Sequence, residues 1–214
     1  MLIAIDGPAG AGKSTVARAL AERLGLTYLD SGAMYRCVAL AALRAGTPVD
    51  DGDALASLVR TLEIAPTGKR VLLNGEDVTE AIRTPEVSAA ASRVSVHQEV
   101  RASMVERQRS LIDEGDYVVE GRDIGTVVSP EAPLKIFLTA SDSERARRRA
   151  AETDEPLERV RAAQASRDDR DSRREHGALR RAADSIEIDT TGLDAEQVVD
   201  RIVVMAKERG LAGR

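Results

Sequence analysis

The stretch GPAGAGKST, residues 7–15, sets three glycines, a lysine and two hydroxyls at a spacing suited to one task, the gripping of phosphate. Gly7, Gly10 and Gly12 let backbone N–H groups turn inward, with Pro8, Ala9 and Ala11 between them. The apolar run LIAID (2–6) precedes the loop and the helical pattern KSTVARALAERL (13–24) follows it. That is the strand–loop–helix setting which G-x-x-x-x-G-K-[ST] requires. Unsatisfied N–H groups and the dipole at the start of such a helix attract anions. Lys13 would reach the β- and γ-phosphates of a nucleoside triphosphate, Ser14 would offer its hydroxyl to Mg²⁺, and Thr15 closes the loop. The loop points to a nucleoside triphosphate and is silent on where the phosphate goes.

A second stretch, SRDDRDSRR (166–174), places seven charges in the eight positions from Arg167 to Arg174. A charge run of this kind commonly forms a solvated helix face. Here the wider region is one-sided: from Arg145 to Arg181 there are twelve Arg, no Lys and eight acids. Arginine forks onto phosphates and does not deprotonate. With 157–174 treated as one helix, Leu157, Val160 and Ala163 share a face. Arg167, Arg170, Asp171 and Arg174 continue it within roughly a 100° arc, while Asp168, Asp169 and Arg173 point elsewhere. A stripe that begins apolar and turns charged without changing direction should face a cleft.

The elements that must position these groups follow from hydrophobic periodicity. Strands are expected at 2–6, 26–30, 116–121, 134–140 and 185–189, most of them without period-2 alternation, as when both faces are covered. Helices are expected at 13–24, through MYRCVALAALRAG to its stop at Gly46, at 53–62, at 99–115, after a Ser141–Glu144 capping box, and at 195–209 behind Asp194. Strands alternating with helices imply a parallel sheet with right-handed crossovers. The pattern breaks at 62–79, where Asn74-Gly75 and a Pro-x-Gly turn signal a small antiparallel sheet. Residues 38–97 therefore read as an insert in a core made of 1–37 and 98–214.

Composition narrows the class. At 214 residues the chain suits one domain with an insertion. A net charge of −5 argues against a generally basic nucleic-acid binder, and 2% aromatics against base stacking. Cys37, the single cysteine, reads as a small buried hydrophobe. The first residues lack a signal-peptide pattern and no apolar run is long enough for a membrane span, so a cytoplasmic location is expected. No Asn-Lys-x-Asp reads guanine, and neither LKIFLTA nor YVVEG ends in a Walker B aspartate. A small P-loop kinase remains. When the acceptor is itself a phosphate, the task is charge neutralisation, positioning and exclusion of water, with no strong general base. Another small-molecule P-loop kinase and a non-catalytic nucleotide-binding switch are the alternatives.

IDGPAGAGKST, DSGAMYR (30–36), EGRDIGTVV (120–128) and RDDRDSRR (167–174) together resemble the bacterial cytidylate kinases, from Ile3 to about Ala206. The resemblance implies an α/β P-loop fold with a five-stranded parallel sheet, an insert that binds the nucleoside monophosphate, and a short lid at about 149–160. It implies transfer of the γ-phosphate of ATP to CMP or dCMP with Mg²⁺, by a monomer that binds neither nucleic acid nor membrane. Lys13, Arg122 and Arg167 are expected to act on the transferring group. Arg36 and Arg122 would hold the acceptor phosphate, with Ser31 and Tyr35 lining its pocket. Arg101 and Asp123 would read the cytosine. Ser92, Arg167 and Asp171 would sit at the pentose and Arg174 near base and phosphate. Arg145, Arg148 and Arg149 are candidate lid arginines.

Overall fold

A computed structural model describes residues 1–67, 70–153 and 156–211. In chain order the elements are β1 (Leu2–Asp6), α1 (Lys13–Leu24), β2 (Thr27–Asp30), α2 (Ser31–Ala45), α3 (Gly52–Arg60), β3 (Ile64–Thr67), β4 (Arg70–Leu73), β5 (Glu76–Asp77), α4 (Pro85–Val94) and α5 (Gln98–Asp113). They continue as β6 (Tyr117–Gly121), β7 (Leu134–Thr139), α6 (Asp142–Thr153), α7 (Leu157–Arg173), β8 (Ile186–Asp189) and α8 (Ala195–Glu208). The chain divides into two units, Met1–Tyr28 with Gly115–Arg214, and Leu29–Glu114.

The first unit is built on a five-stranded sheet in the order β2-β6-β1-β7-β8, with β1 at its centre. β1 pairs in parallel with β6 and β7, and β7 with β8. Parallel neighbours need crossovers, and the helices supply them. Ile3, Ile5, Ile136 and Leu138 of the sheet share one core with Val16 and Leu20 of α1 and with Val198 and Ile202 of α8. α8 starts at a full capping box between Asp194 and Gln197. At α6 only half of the expected box forms: the Glu144 N–H donates to Ser141 Oγ at 3.3 Å, but the Glu144 carboxylate accepts from Arg147 at 2.8 Å and Arg148 at 2.9 Å. Charge-assisted bonds outcompete the neutral cap.

α7 is continuous, yet its buried face is not the stripe expected from periodicity. Leu157 and Ala163 are exposed; Val160, Gln164 and Asp171 are buried. Those three lie within roughly 40° of one another by the helix period, so the apolar pair sits on the flanks. Asp168, expected to point away, instead accepts from Arg145. Asp169 and Arg173 do face outward and pair with each other. Of the expected lid at about 149–160, residues 154 and 155 lie outside the described residues.

In the second unit α2 packs on α4 and α3 on α5, beside an antiparallel sheet β3-β4-β5. Asn74 (φ 51) and Gly75 (φ 81) both take the left-handed conformation between β4 and β5, the two-residue hairpin that their sequence announces. Gly68, the end of the anticipated Pro-x-Gly turn, lies outside the described residues. This unit reaches beyond 38–97, because α2 and α5 pack within it. α4 was not anticipated; its start is marked by Thr84, which accepts from the Val87 N–H, and by Pro85 in the first turn.

Candidate active site

The phosphate loop hangs from the C-terminal end of β1. Gly7 has φ +152, and a Cβ there would lie 2.2 Å from the Leu138 carbonyl oxygen, so only glycine lets the chain pass β7. At Gly12 no side chain caps α1, which leaves its first N–H groups for an anion. The Lys13 ammonium donates to the Pro8 carbonyl at 2.8 Å and is almost wholly buried. Burial pushes its pKa down to about 7; Arg122 and Arg167 push the same way, while Glu120 and Asp6 favour the charged form. A phosphate arriving beside it would supply the missing counter-charge.

Two arginines of α6 brace this loop from its carbonyl side. Arg145 donates to Ala9 O at 3.0 Å, to Asp168 at 2.6 Å and to Asp142 at 2.6 Å. Arg148 donates to the hydroxyl and carbonyl of Thr190, at 2.9 and 2.7 Å, and the Thr190 hydroxyl in turn lies 3.3 Å from Ala11 O. Helix α6 is thus tied to the loop directly by Arg145 and, through Thr190, by Arg148.

Beside Lys13 stands a hub on Asp171, which is 1% exposed. Arg122, one residue past β6, donates through Nε to Asp171 Oδ2 at 2.8 Å. Arg174, at the end of α7, donates to the other oxygen, and Arg167 also acts on this carboxylate. Burial alone would raise the Asp171 pKa; Arg122, Arg174 and Arg167 together outweigh it and hold the pKa below the usual carboxylate value. A guanidinium fixed along one edge keeps its planar fork oriented for a phosphate. The first unit therefore gathers Lys13, Arg122, Arg167, Asp171 and Arg174. Asp123 follows directly; it is buried, and its carbonyl accepts from the Val127 and Val128 N–H groups. With the bond from Ser129 N–H to Ile124 O this makes the wide turn of a π-helix, a form frequent at functional sites.

The second unit carries the other candidates. Asp30 caps α2, accepting from the Ala33 N–H at 2.8 Å through one oxygen and from Arg36 at 2.7 Å through the other. Arg36 is thereby anchored at the start of the helix that also carries buried Ser31 and half-buried Tyr35. The Arg101 guanidinium lies over the Tyr35 ring, 5.6 Å from its centroid, and donates to Ser95 O at 3.3 Å. Ser92 is buried one turn before Ser95, and its hydroxyl has no partner among the described residues. Cys37 is wholly buried with its thiol pushed up to about 12, as expected of a packing residue.

Sequence reasoning missed three acids. Asp6 ends buried β1 and Glu120 is the penultimate residue of β6; Asp6 accepts from two backbone N–H groups, and Glu120 accepts from the Tyr28 hydroxyl at 2.5 Å. Asp30 is the anchor of Arg36. The signal was there: an acid closing the all-apolar runs LIAID and YVVEG has no solvated side to turn to.

Comparison with known proteins gives these parts a context. The family model described as Cytidylate kinase matches residues 3–208. The chain belongs to the cytidylate kinase family. It is 50% identical to the cytidylate kinase of Geobacter sulfurreducens over 218 residues, which cover 98% of this chain and 94% of that protein. It is 50% identical to the cytidylate kinase of Geobacillus kaustophilus over 216 residues, covering 97% and 96%. Among solved structures, shikimate kinase from Bacteroides thetaiotaomicron superposes with a TM-score of 0.51 at 13% identity, over 97% of this chain and 98% of that one. That likeness concerns the P-loop kinase fold alone.

Proposed function

We propose that this chain transfers the γ-phosphoryl group of ATP to CMP or dCMP, giving ADP and CDP or dCDP. The observation that carries the reading is the Asp171 hub, which holds Arg122 and Arg174 beside Lys13, in a member of this family. The phosphate loop, Gly7 to Thr15, takes the ATP phosphates, with Lys13 on the β- and γ-groups. Lys13, Arg122 and Arg167 neutralise the charge of the transferring group. Arg36, Ser31, Tyr35 and Arg122 take the acceptor phosphate. That phosphate is largely ionised at pH 7, its second pKa being about 6, so it attacks without a general base.

Asp123 accepts from the cytosine amino group while Arg101 donates to the ring acceptors; uracil would set a carbonyl against the carboxylate. Ser92 and Arg167 meet the pentose. Asp171 spends one acceptor position per oxygen on arginine and has lone pairs left for a sugar hydroxyl. Arg174 serves base and phosphate together.

Mg²⁺ suits this site. Ser14 is exposed in the first turn of α1, and an ion riding on nucleotide phosphates completes its shell with water. Among the described residues no group of three His, Cys, Asp or Glu could hold a metal, and Mg²⁺ carried in by ATP needs none. Bound there, it would screen the phosphate charge. Lid closure keeps water from competing with CMP. Among the described residues no helix is long and apolar enough to cross a membrane. A cytoplasmic monomer is part of the proposed reading. A coupled assay with ATP, Mg²⁺ and CMP, dCMP, UMP or AMP tests the reading. CMP and dCMP should exceed UMP by about 10⁴ in kcat/KM, the scale for a site that hydrogen-bonds its substrate. UMP outrunning CMP would overturn the assignment of Asp123 and Arg101.

A further inference from the structure

Asp6 is the last residue of a strand buried at every position, and it carries a charge into the middle of the sheet. It is 5% exposed. Its Oδ1 accepts from the Ile124 N–H and its Oδ2 from the Gly125 N–H, each at 2.8 Å. β1 and β6 end in register there, with Asp6 opposite Gly121. After Gly121 the chain runs through Arg122 and Asp123 and folds back so that the next two N–H groups meet the Asp6 carboxylate. Gly125 eases this approach, because a side chain there would be tightly placed. A Cβ on it would lie 3.2 Å from Lys135 Cδ and 3.4 Å from Asp6 Oδ2. Lys135 has little room to yield, since its ammonium is held by Asp184 at 2.7 Å and by the Pro130 carbonyl.

We propose that Asp6 is a positioning residue for the acceptor nucleotide: its carboxylate clamps the Ile124–Gly125 backbone and so fixes Arg122 and Asp123 relative to the phosphate loop that begins at the next residue. The inference rests on the reading above, in which Arg122 and Asp123 hold CMP. Each Asp6 oxygen is engaged by a backbone donor, so the carboxylate bridges two successive N–H groups of the turn. Two adjacent N–H groups call for two acceptors on one side chain, which a carboxylate has and an amide, with one oxygen, lacks. The burial that pushes the Asp6 pKa up to about 6 is what an acid kept solely for backbone contacts must tolerate.

The experiment is steady-state kinetics with ATP dissociation measured separately on Asp6→Asn, Asp6→Ala and Gly125→Ala, alongside Arg122→Ala and Asp123→Ala. Asp6→Asn keeps one acceptor and should raise KM for CMP about tenfold, the scale of one lost buried hydrogen bond. Asp6→Ala should raise it further, and ATP affinity should stay within about twofold in both. Gly125→Ala keeps the carboxylate and pushes the turn, so it should give the same selective loss; it decides the matter if the Asp6 variants do not fold. Equal losses for CMP and ATP, or an unchanged KM for CMP in Asp6→Asn or in Gly125→Ala, would overturn the proposal. Arg122→Ala and Asp123→Ala leaving KM for CMP unchanged would instead overturn the underlying reading.

Discussion

Asp6 and Asp171 are both nearly inaccessible carboxylates, yet their environments drive them in opposite directions. Burial pushes Asp6 up to about 6, and two backbone N–H donors offset it only in part. Asp171 meets the same penalty but faces Arg122, Arg174 and Arg167, and ends below its ordinary value. Neutral dipoles orient a backbone at the cost of a carboxylate's charge; full charges orient side chains and keep that charge. The first device suits a turn that must stay put. The second suits guanidiniums that must meet a phosphate.

The largest expected effect comes from removing the hub. Asp171→Ala leaves two arginines largely buried without their carboxylate, Arg174 at 7% and Arg122 at 16% side-chain exposure. It should cost about 3–5 kcal/mol in urea unfolding. A loss under about 1 kcal/mol would mean the arginines find other partners, and the contrast with Asp6 would fail.

Titration gives the next effect and separates the two acids by sign. The folded pKa of Asp6 lies above the unfolded carboxylate value, so the folded state holds this proton more tightly. Stability of the wild type relative to Asp6→Asn should therefore fall by roughly 3 kcal/mol as pH rises from about 4 to 6. Asp171 has a depressed folded pKa, so its contribution is present above the unfolded value and is lost as pH falls below about 4. Unfolding curves for both Asn variants between pH 3 and 7 check this; slopes of one sign would break the comparison.

A smaller effect should follow at the brace. Arg145→Ala frees the Ala9 carbonyl and Asp168, and should raise KM for ATP several-fold more than KM for CMP. The smallest belongs to the outward pair on α7. Asp169→Ala breaks an exposed contact with Arg173 and should change stability by less than about 0.5 kcal/mol with unchanged kinetics.

Much of the molecule was legible because its local rules are strong. The phosphate loop has a fixed spacing, Asn74-Gly75 dictates a hairpin, and Gly46 and Asp194 mark helix ends. On α7 the inward placing of Asp171 was legible, since it shares the buried face with Val160 and Gln164. Asp168 was not, because it lies on the flank and is drawn in by Arg145, a residue 23 positions away. Asp6 and Glu120 were passed over near strand ends; what engages them comes from about 118 and 92 residues away, and no local pattern encodes that. The extent of the second unit likewise depends on which helices α2 and α5 choose to pack against.

The most direct measurement of the central claim is the kinetics of Asp171→Asn, which keeps the shape of the hub and removes its charge. The account predicts that KM for CMP rises at least about tenfold while ATP dissociation stays within about twofold. An unchanged kcat/KM for CMP, or equal weakening of both nucleotides, would contradict it.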